Sequence, residues 1–581
     1  MQRACSAQRG WRFKRANIEE FKPRKSTKNA KELVFINQVF RDLSCAFCAS
    51  LWLYALIVSM PSLIIHGHFY QPPRENPWTG IVEAEPSAAP FHDWNERIHS
   101  ECYRSNAFAS ITDPATSEDR IINNYAHISF NFGPTLLSWI ERNHAETYER
   151  ILAADRESVT ARGGHGNAIA QARGHAILPL CNERDRRTQI RWGIADFRHR
   201  FGRAPEALWL PETACNDQVL AALIDEDLRF VILAPHQAAR VRDHRIPTSR
   251  DSDRVGLKQD EPWQDVDEQT LDTSIAYHYV HRDGSGRSIA VFFYEGATSR
   301  AIAFDNLLKS SRDLVERFAL HHNGLVNVAT DGETYGHHFK FGDICLAHAL
   351  AVEAPARNFR ITNYGEYLDE HPPTLEVEIN NGPEDEGTSW SCAHGVGRWI
   401  RDCGCHTGGE KGWNQGWRTP LRHALDLLRD ENVTHFEATR ATLFRDPWQA
   451  RDDSIQLVLD ADASRELFLF EHAGRWFTAE EQWRALAFLE LQRMLLMMYT
   501  SCGWFFNDVS GIETIQILKY AGRAIDLMEQ LSLPSVQDRF LEILAQAKSN
   551  RPEMGAGADI YRRFVEPLKV SSHANEEALR T

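Results

Sequence analysis

The chain changes its hydrophobic rhythm twice. From Met60 to about residue 370, short apolar runs alternate with longer polar or helical stretches: Leu63–His66, His127–Phe130, Ala176–Leu180, Ala207–Leu210, Phe230–Leu233, Ile289–Tyr294 and Leu325–Ala329. Each is too short for a buried helix, and uninterrupted Ile, Val, Leu and Phe suit strands covered on both faces. Seven such runs at βα spacing predict a parallel α/β fold. An incomplete barrel is preferred over an open sheet, although the pattern alone does not separate the two. Residues 380–417 then hold nine Gly and four Trp, a loop too rich in Trp to be a linker. Beyond it the period becomes helical. Thr419-Pro420 reads as an N-cap and first turn before Leu421, Leu425 and Leu428. Ala485–Met498 is apolar nearly all round. Ile517, Ala521, Ala524, Met528 and Leu531 form a stripe, and Ser535 with Asp538 resembles a capping box. The expected organisation is a (β/α)7-type barrel over 60–375 with an inserted polar loop at 242–272, followed by a Gly/Trp-rich loop and mainly α-helical domain over 376–581.

The polar residues are not scattered. His66-Gly67-His68, Asn131, Pro211-Glu212, Pro235-His236, Glu295 and Asp331-Gly332-Glu333 sit at or just past the C-terminal ends of six of the runs. Active sites of α/β barrels form at that end of the strands. Glu212 and Asp331 lead the candidates. Two carboxylates facing each other across a cleft are what glycoside hydrolysis needs, one to attack or activate water and one to donate a proton. A single strand-end acid more often caps a helix or pairs with a cation, but Asp331, Glu333, His337 and His338 are denser than capping requires. A His-x-His at a first strand end opens a second reading, a metal site completed by His165, His175, His236 and Asp331. Hydrogen bonding to substrate hydroxyls is favoured over it. Cys392, His394, Cys403, Cys405 and His406 suggest zinc, but the C-x10-C-x-C spacing lacks paired C-x2-C knuckles, so a structural or loop role is favoured. No phosphate loop, nucleophile elbow or dinucleotide fingerprint is present.

Charge sharpens this. The 581 residues carry net −15, yet residues 1–59 hold 11 Lys+Arg against 4 Asp+Glu, leaving 54 against 76 on the remainder. An acidic body argues against nucleic acid, while 16 Trp, 25 His and 14 Tyr suit a polar, uncharged ligand. Leu43–Met60 is uncharged and mostly apolar. It is just long enough for an anchor and too far along the chain for an ordinary signal peptide. A misassigned start or disordered extension is the favoured reading, with no membrane expected for the body. The eight body cysteines lack a secreted-scaffold spacing, which points to reduced thiols and a cytoplasmic protein.

Five stretches carry a family resemblance: His66-Gly67-His68-Phe69-Tyr70-Gln71-Pro72; Gly164-His165-Gly166 through His175-Ala176-Ile177-Leu178-Pro179-Leu180; Trp209-Leu210-Pro211-Glu212; Asp331-Gly332-Glu333 with Gly336; and His394-Gly395-Val396. Arg184–Phe197 and Cys502-Gly503-Trp504-Phe505-Phe506 add to them. Together they resemble glycoside hydrolase family 57, in the subgroup with a C-terminal domain of unknown function (type 3536). The resemblance implies an incomplete seven-stranded barrel and a retaining glycosidase or 4-α-glucanotransferase acting on α-glucan or malto-oligosaccharide. Glu212 matches the nucleophile and Asp331 the general acid/base. His66, His68, Gln71, His165, Trp209, His236, Glu333, His337, His394 and Trp504 are the expected saccharide-binding groups, with no metal or other cofactor. Phe69-Tyr70 interrupts the usual His-x-His-Gln-Pro ahead of Gln71. A retaining pair should stand about 5–5.5 Å apart. Two rivals stay open: a metal-dependent, polysaccharide deacetylase-like hydrolase, and a non-catalytic glucan-binding protein.

Overall fold

The computed structural model describes residues 60–112, 117–243, 262–321 and 324–569. The basic, apolar segment through Ser59 lies outside them, as does most of the expected 242–272 insertion. Seven parallel strands form the ring: β1 (Ser62–Phe69), β2 (Ser129–Phe132), β3 (Ala170–Gln171), β4 (Leu208–Trp209), β5 (Phe230–Leu233), β6 (Ser288–Phe293) and β7 (Leu325–Asp331). β1 pairs with β7 on one edge and β2 on the other. Single parallel bridges at Phe130–Ala168 and Ala207–Phe230 join β2 to the β3 edge and β4 to β5. β3 pairs with β4, and β5 with β6. Between β6 and β7 one backbone bond, Glu295 N–H to Asn327 O at 2.7 Å, stands where a ladder would close the ring. The protein is therefore an incomplete (β/α)7 barrel followed by a mainly helical region.

Strand alternation explains which side chains reach the interior. Along β1, Leu63, Ile65 and Phe69 join the core beneath the surrounding helices, whereas Ile64 belongs to the interior cluster with Trp209, Phe230, Phe292 and Tyr364. His66 and His68 share the parity of Ile64 and stack on Trp209 at 4.6 and 5.1 Å. Gly67 and Gly332 leave room for the Phe69 ring, since a Cβ would stand 2.7 and 2.2 Å from its atoms.

The structure corrects three local expectations. Ala176–Leu180 is not a strand, because Pro179 denies it a ladder donor; residues 178–180 form a 3-10 turn and Ala170–Gln171 takes the ring position. The helix α1 (Arg418–Ala438) begins before Thr419, whose hydroxyl donates to Ile400 O instead of capping. Ser535 does not form the expected capping box with Asp538: the helix Gln537–Leu544 starts from Val536, and Ser535 Oγ accepts from Gln537 N–H at 3.4 Å. Short strands not read from the sequence, Ala276–Val280, Leu375–Ile379 and Ala238–Asp243, extend the sheet beyond β6 with mixed pairing: the first is antiparallel to β6, the second parallel to the first, and the third antiparallel to the second.

The helical region has its own core, built on α1, α2 (Ala479–Met497) and α3 (Ile512–Gln530). A Thr478/Glu481 capping box starts α2. The segment after α2 reaches back to the barrel: Ser501 Oγ meets His175 Nδ1 at 2.7 Å, and Ser501 N–H donates to His175 O.

Candidate active site

A cleft of about 1850 Å³ opens over the C-terminal strand ends. Its walls include His68, Tyr70, Gln71, His175, Glu212, His236, Tyr294, Asp331, Glu333 and His337 from the barrel. Trp390, Ser391 and Arg398 come from the Gly/Trp-rich loop, and Cys502, Phe505 and Phe506 from the helical region.

Glu212 follows β4 through Pro211 and takes a left-handed backbone, φ 59°, as does Thr213 at φ 49°. Such geometry costs a non-glycine residue on the order of 1–3 kcal/mol and persists only when neighbours over-determine it. Here Trp390 N–H donates to Glu212 O (3.1 Å) and Thr213 Oγ1 (3.0 Å), while Gln237 Nε2 donates to Thr213 O at 2.9 Å. The carboxylate is fixed by Ser391 Oγ at 2.7 Å and Trp390 Nε1 at 3.0 Å, both donating to Oε2. Burial raises the Glu212 pKa, and these two hydrogen bonds and the Arg398 charge work against the rise.

Asp331 ends β7. Its side chain is exposed to the open cleft, and no hydrogen bond reaches its carboxyl among the described residues. Desolvation and the nearby Glu212 charge push it up to about 7. Glu333 is buried, accepting from Tyr103 Oη at 2.6 Å and Tyr70 N–H at 3.1 Å. Desolvation, then the Asp331 charge, lift it to about 8, so it holds its proton at neutral pH.

The histidines beside them are neutral hydrogen-bonding groups. Burial lowers both His66 and His68 to about 3. His66 lies between Ser129 Oγ (3.0 Å) and Asn131 Oδ1 (3.1 Å). His68 Nε2 is 3.2 Å from His175 Nε2, and His175 stacks on Tyr70 at 3.7 Å.

The structure brings His68, Gln71, His236, Glu333 and His337 to the same cleft as Glu212 and Asp331. His66 and Trp209 sit one layer down, supporting the His68 ring. Three expected groups are elsewhere. His165 precedes β3, at the opposite end of the ring, held by Glu206 at 3.0 Å and Asp369 at 3.1 Å. Trp504 is buried in the helical core, where its Nε1 donates to Arg418 O, and Phe505 and Phe506 take the wall position. His394 lies outside the cleft, against Cys405 Sγ at 3.5 Å. Sequence reasoning missed Ser391, Trp390, Arg398 and Tyr70; only the density of Trp in the loop hinted that it reaches a site.

Residues 63–380 match the family described as Glycosyl hydrolase family 57, more than half of the chain. The chain belongs to glycosyl hydrolase family 57. Residues 413–575 match a second family, described as Domain of unknown function (DUF3536). The fold of this family 57 chain is similar to that of an exo-type maltose-forming amylase from Pyrococcus sp. ST04, with TM-score 0.61 and 13% identity over 89% of this chain and 95% of that one. Alpha-amylase 1 of Dictyoglomus thermophilum is 24% identical over 106 residues, 18% of this chain. The match spans only 15% of that relative's length. No helix among the described residues is long and apolar enough to cross a membrane.

Proposed function

We propose that this family 57 protein is a retaining glycosidase or glucanotransferase acting on α-glucan or malto-oligosaccharide. The observation that carries the reading is a pair of carboxyls in one cleft with different partners: Glu212 accepts from Ser391 Oγ and Trp390 Nε1, and Asp331 has no donor among the described residues. Different surroundings are how one site assigns an acid and a base. Glu212, whose two donors and nearby Arg398 charge offset part of the desolvation of its anion, attacks the anomeric carbon. Asp331, desolvated and without a donor, carries the proton near neutrality. It gives that proton to the leaving oxygen, then recovers it from the incoming water or sugar hydroxyl. Neutral His68, with His236 and His337, hydrogen-bonds hydroxyls of an uncharged ring. Phe505, Phe506 and Trp390 offer flat apolar faces for sugar stacking.

The test is incubation of the purified chain with malto-oligosaccharides, with chromatography of the products and NMR of the newly formed anomer. Products of retained configuration are expected, and longer oligomers among them would identify transfer. Glu212→Gln should abolish turnover while the protein still folds and binds glucan. Inverted product, or activity surviving in that variant, would refute the assignment.

A further inference from the structure

The loop that holds Glu212 runs straight into a cluster of soft ligands. Cys392, His394, Cys403 and Cys405 bring one donor atom each to within 4.8 Å of one another. Cys392 Sγ is 3.8 Å from both Cys403 Sγ and Cys405 Sγ, and Cys405 Sγ is 3.5 Å from His394 Nδ1. Sulfur at about 2.3 Å and nitrogen at about 2.0–2.1 Å from one tetrahedral centre stand about 3.8 Å apart S to S and about 3.5 Å apart S to N. The three observed separations fit a tetrahedron, and the remaining pairs stand within 4.8 Å. The two sulfur–sulfur distances are nearly double the ~2.05 Å of a disulfide, and all three thiols are free.

We infer that Cys392, His394, Cys403 and Cys405 bind one zinc ion in a closed structural site that anchors the active-site loop. Three sulfurs and an imidazole favour zinc among the common divalent ions, and four protein ligands leave no position for catalysis. The missing C-x2-C knuckles are replaced by two tighter pairs, Cys392-Ala393-His394 and Cys403-Gly404-Cys405. Gly404 supplies the turn in the second with φ +80°. On binding, Zn²⁺ takes three thiolates and one neutral imidazole, and the three thiol protons leave to solvent. Its reach to the active site is short. Ser391, the residue before Cys392, donates to Glu212. At the other end, buried Arg418 donates to Cys405 O and Trp504 O, tying the cluster to the helical core.

The test needs no substrate, so its failure is distinguishable from failure of the sugar chemistry. Untagged full-length protein, purified under reducing conditions, is assayed for metals by mass spectrometry and for ligands by zinc-edge X-ray absorption. About one zinc per chain with three sulfur neighbours and one nitrogen is expected, falling at least tenfold in Cys403→Ser and Cys405→Ser. Should those variants fail to fold, chelated wild-type protein is titrated with Co²⁺, and thiolate-to-cobalt absorption is expected at about one equivalent. Folded wild type that is metal-free and refuses Co²⁺, that carries iron, or that joins two of these thiols in a disulfide overturns the assignment.

Discussion

Both ends of the barrel carry a cluster of histidine and acidic side chains, and the two are built oppositely. At the N-terminal end, His165 bridges Glu206 and Asp369, and Arg229 pairs with the same two carboxylates. Every acid there has a cation or donor against it. At the C-terminal end, Asp331 has none, Glu333 keeps its proton, and the imidazoles of His66 and His68 are neutral. Paired charges hold a surface together; Asp331, which lacks the donors that Glu212 and Glu333 have, is poised to move a proton. The residue types are similar and only their partners differ.

The contrast breaks most sharply at Asp331. An acid with pKa near 7 donates only while protonated, so kcat/KM should fall as pH rises through that value. Asp331→Asn should cost about 10²–10⁴-fold in turnover and remove that limb. Stability follows the same sign. Asp331 and Glu333 bind protons more tightly folded than unfolded, so their contribution favours the fold at low pH. It is lost between about pH 4 and the folded values near 7 and 8. Asp331→Asn and Glu333→Gln should each flatten the fall of Tm across that window; an unchanged slope would show that neither carboxyl is shifted.

A smaller effect is expected from Ser391→Ala, which removes one of two donors to Glu212. A hydrogen bond to a charged group is worth about 1.5–3 kcal/mol, so a loss of about 10- to 100-fold in kcat/KM is expected. With less stabilisation of the anion, the acidic limb of the pH profile should also move to higher pH. A rate loss with an unmoved limb would mean that Ser391 only shapes the loop.

How far the sequence discloses this depends on distance along the chain. The strand ends of β1, β4 and β7 are legible because each is a local event: an apolar run, a stop, then a polar residue. Glu212 and Asp331 are visible for that reason. Ser391 and Trp390 are not, because they meet Glu212 only after some 180 residues of intervening chain, across a loop with no periodicity. The thiol cluster shows the same gap. Its residues stand out by type, but knuckle spacing argues against a site that the folded loop assembles from two C-x-ligand pairs. His165 and His175 both lie in one recognisable stretch, and only the fold shows that the nine residues between them pass through the barrel from one end to the other.

That last pair offers the smallest expected effect and the cleanest separation of the two ends. His165→Ala removes two hydrogen bonds from a partly exposed ion-pair cluster, where individual pairs contribute about 0–1 kcal/mol. Glu206 and Asp369 keep Arg229 as their partner. A small drop in Tm with unchanged kcat, KM and pH profile is therefore expected. His175→Ala acts at the other end. It takes a neutral ring from between Tyr70, His68 and Ser501 in the cleft wall, and it should weaken substrate binding. If His165→Ala instead raises KM while the protein stays folded, the N-terminal end also takes part in binding sugar, and the division between a paired structural end and an unpaired reactive one fails.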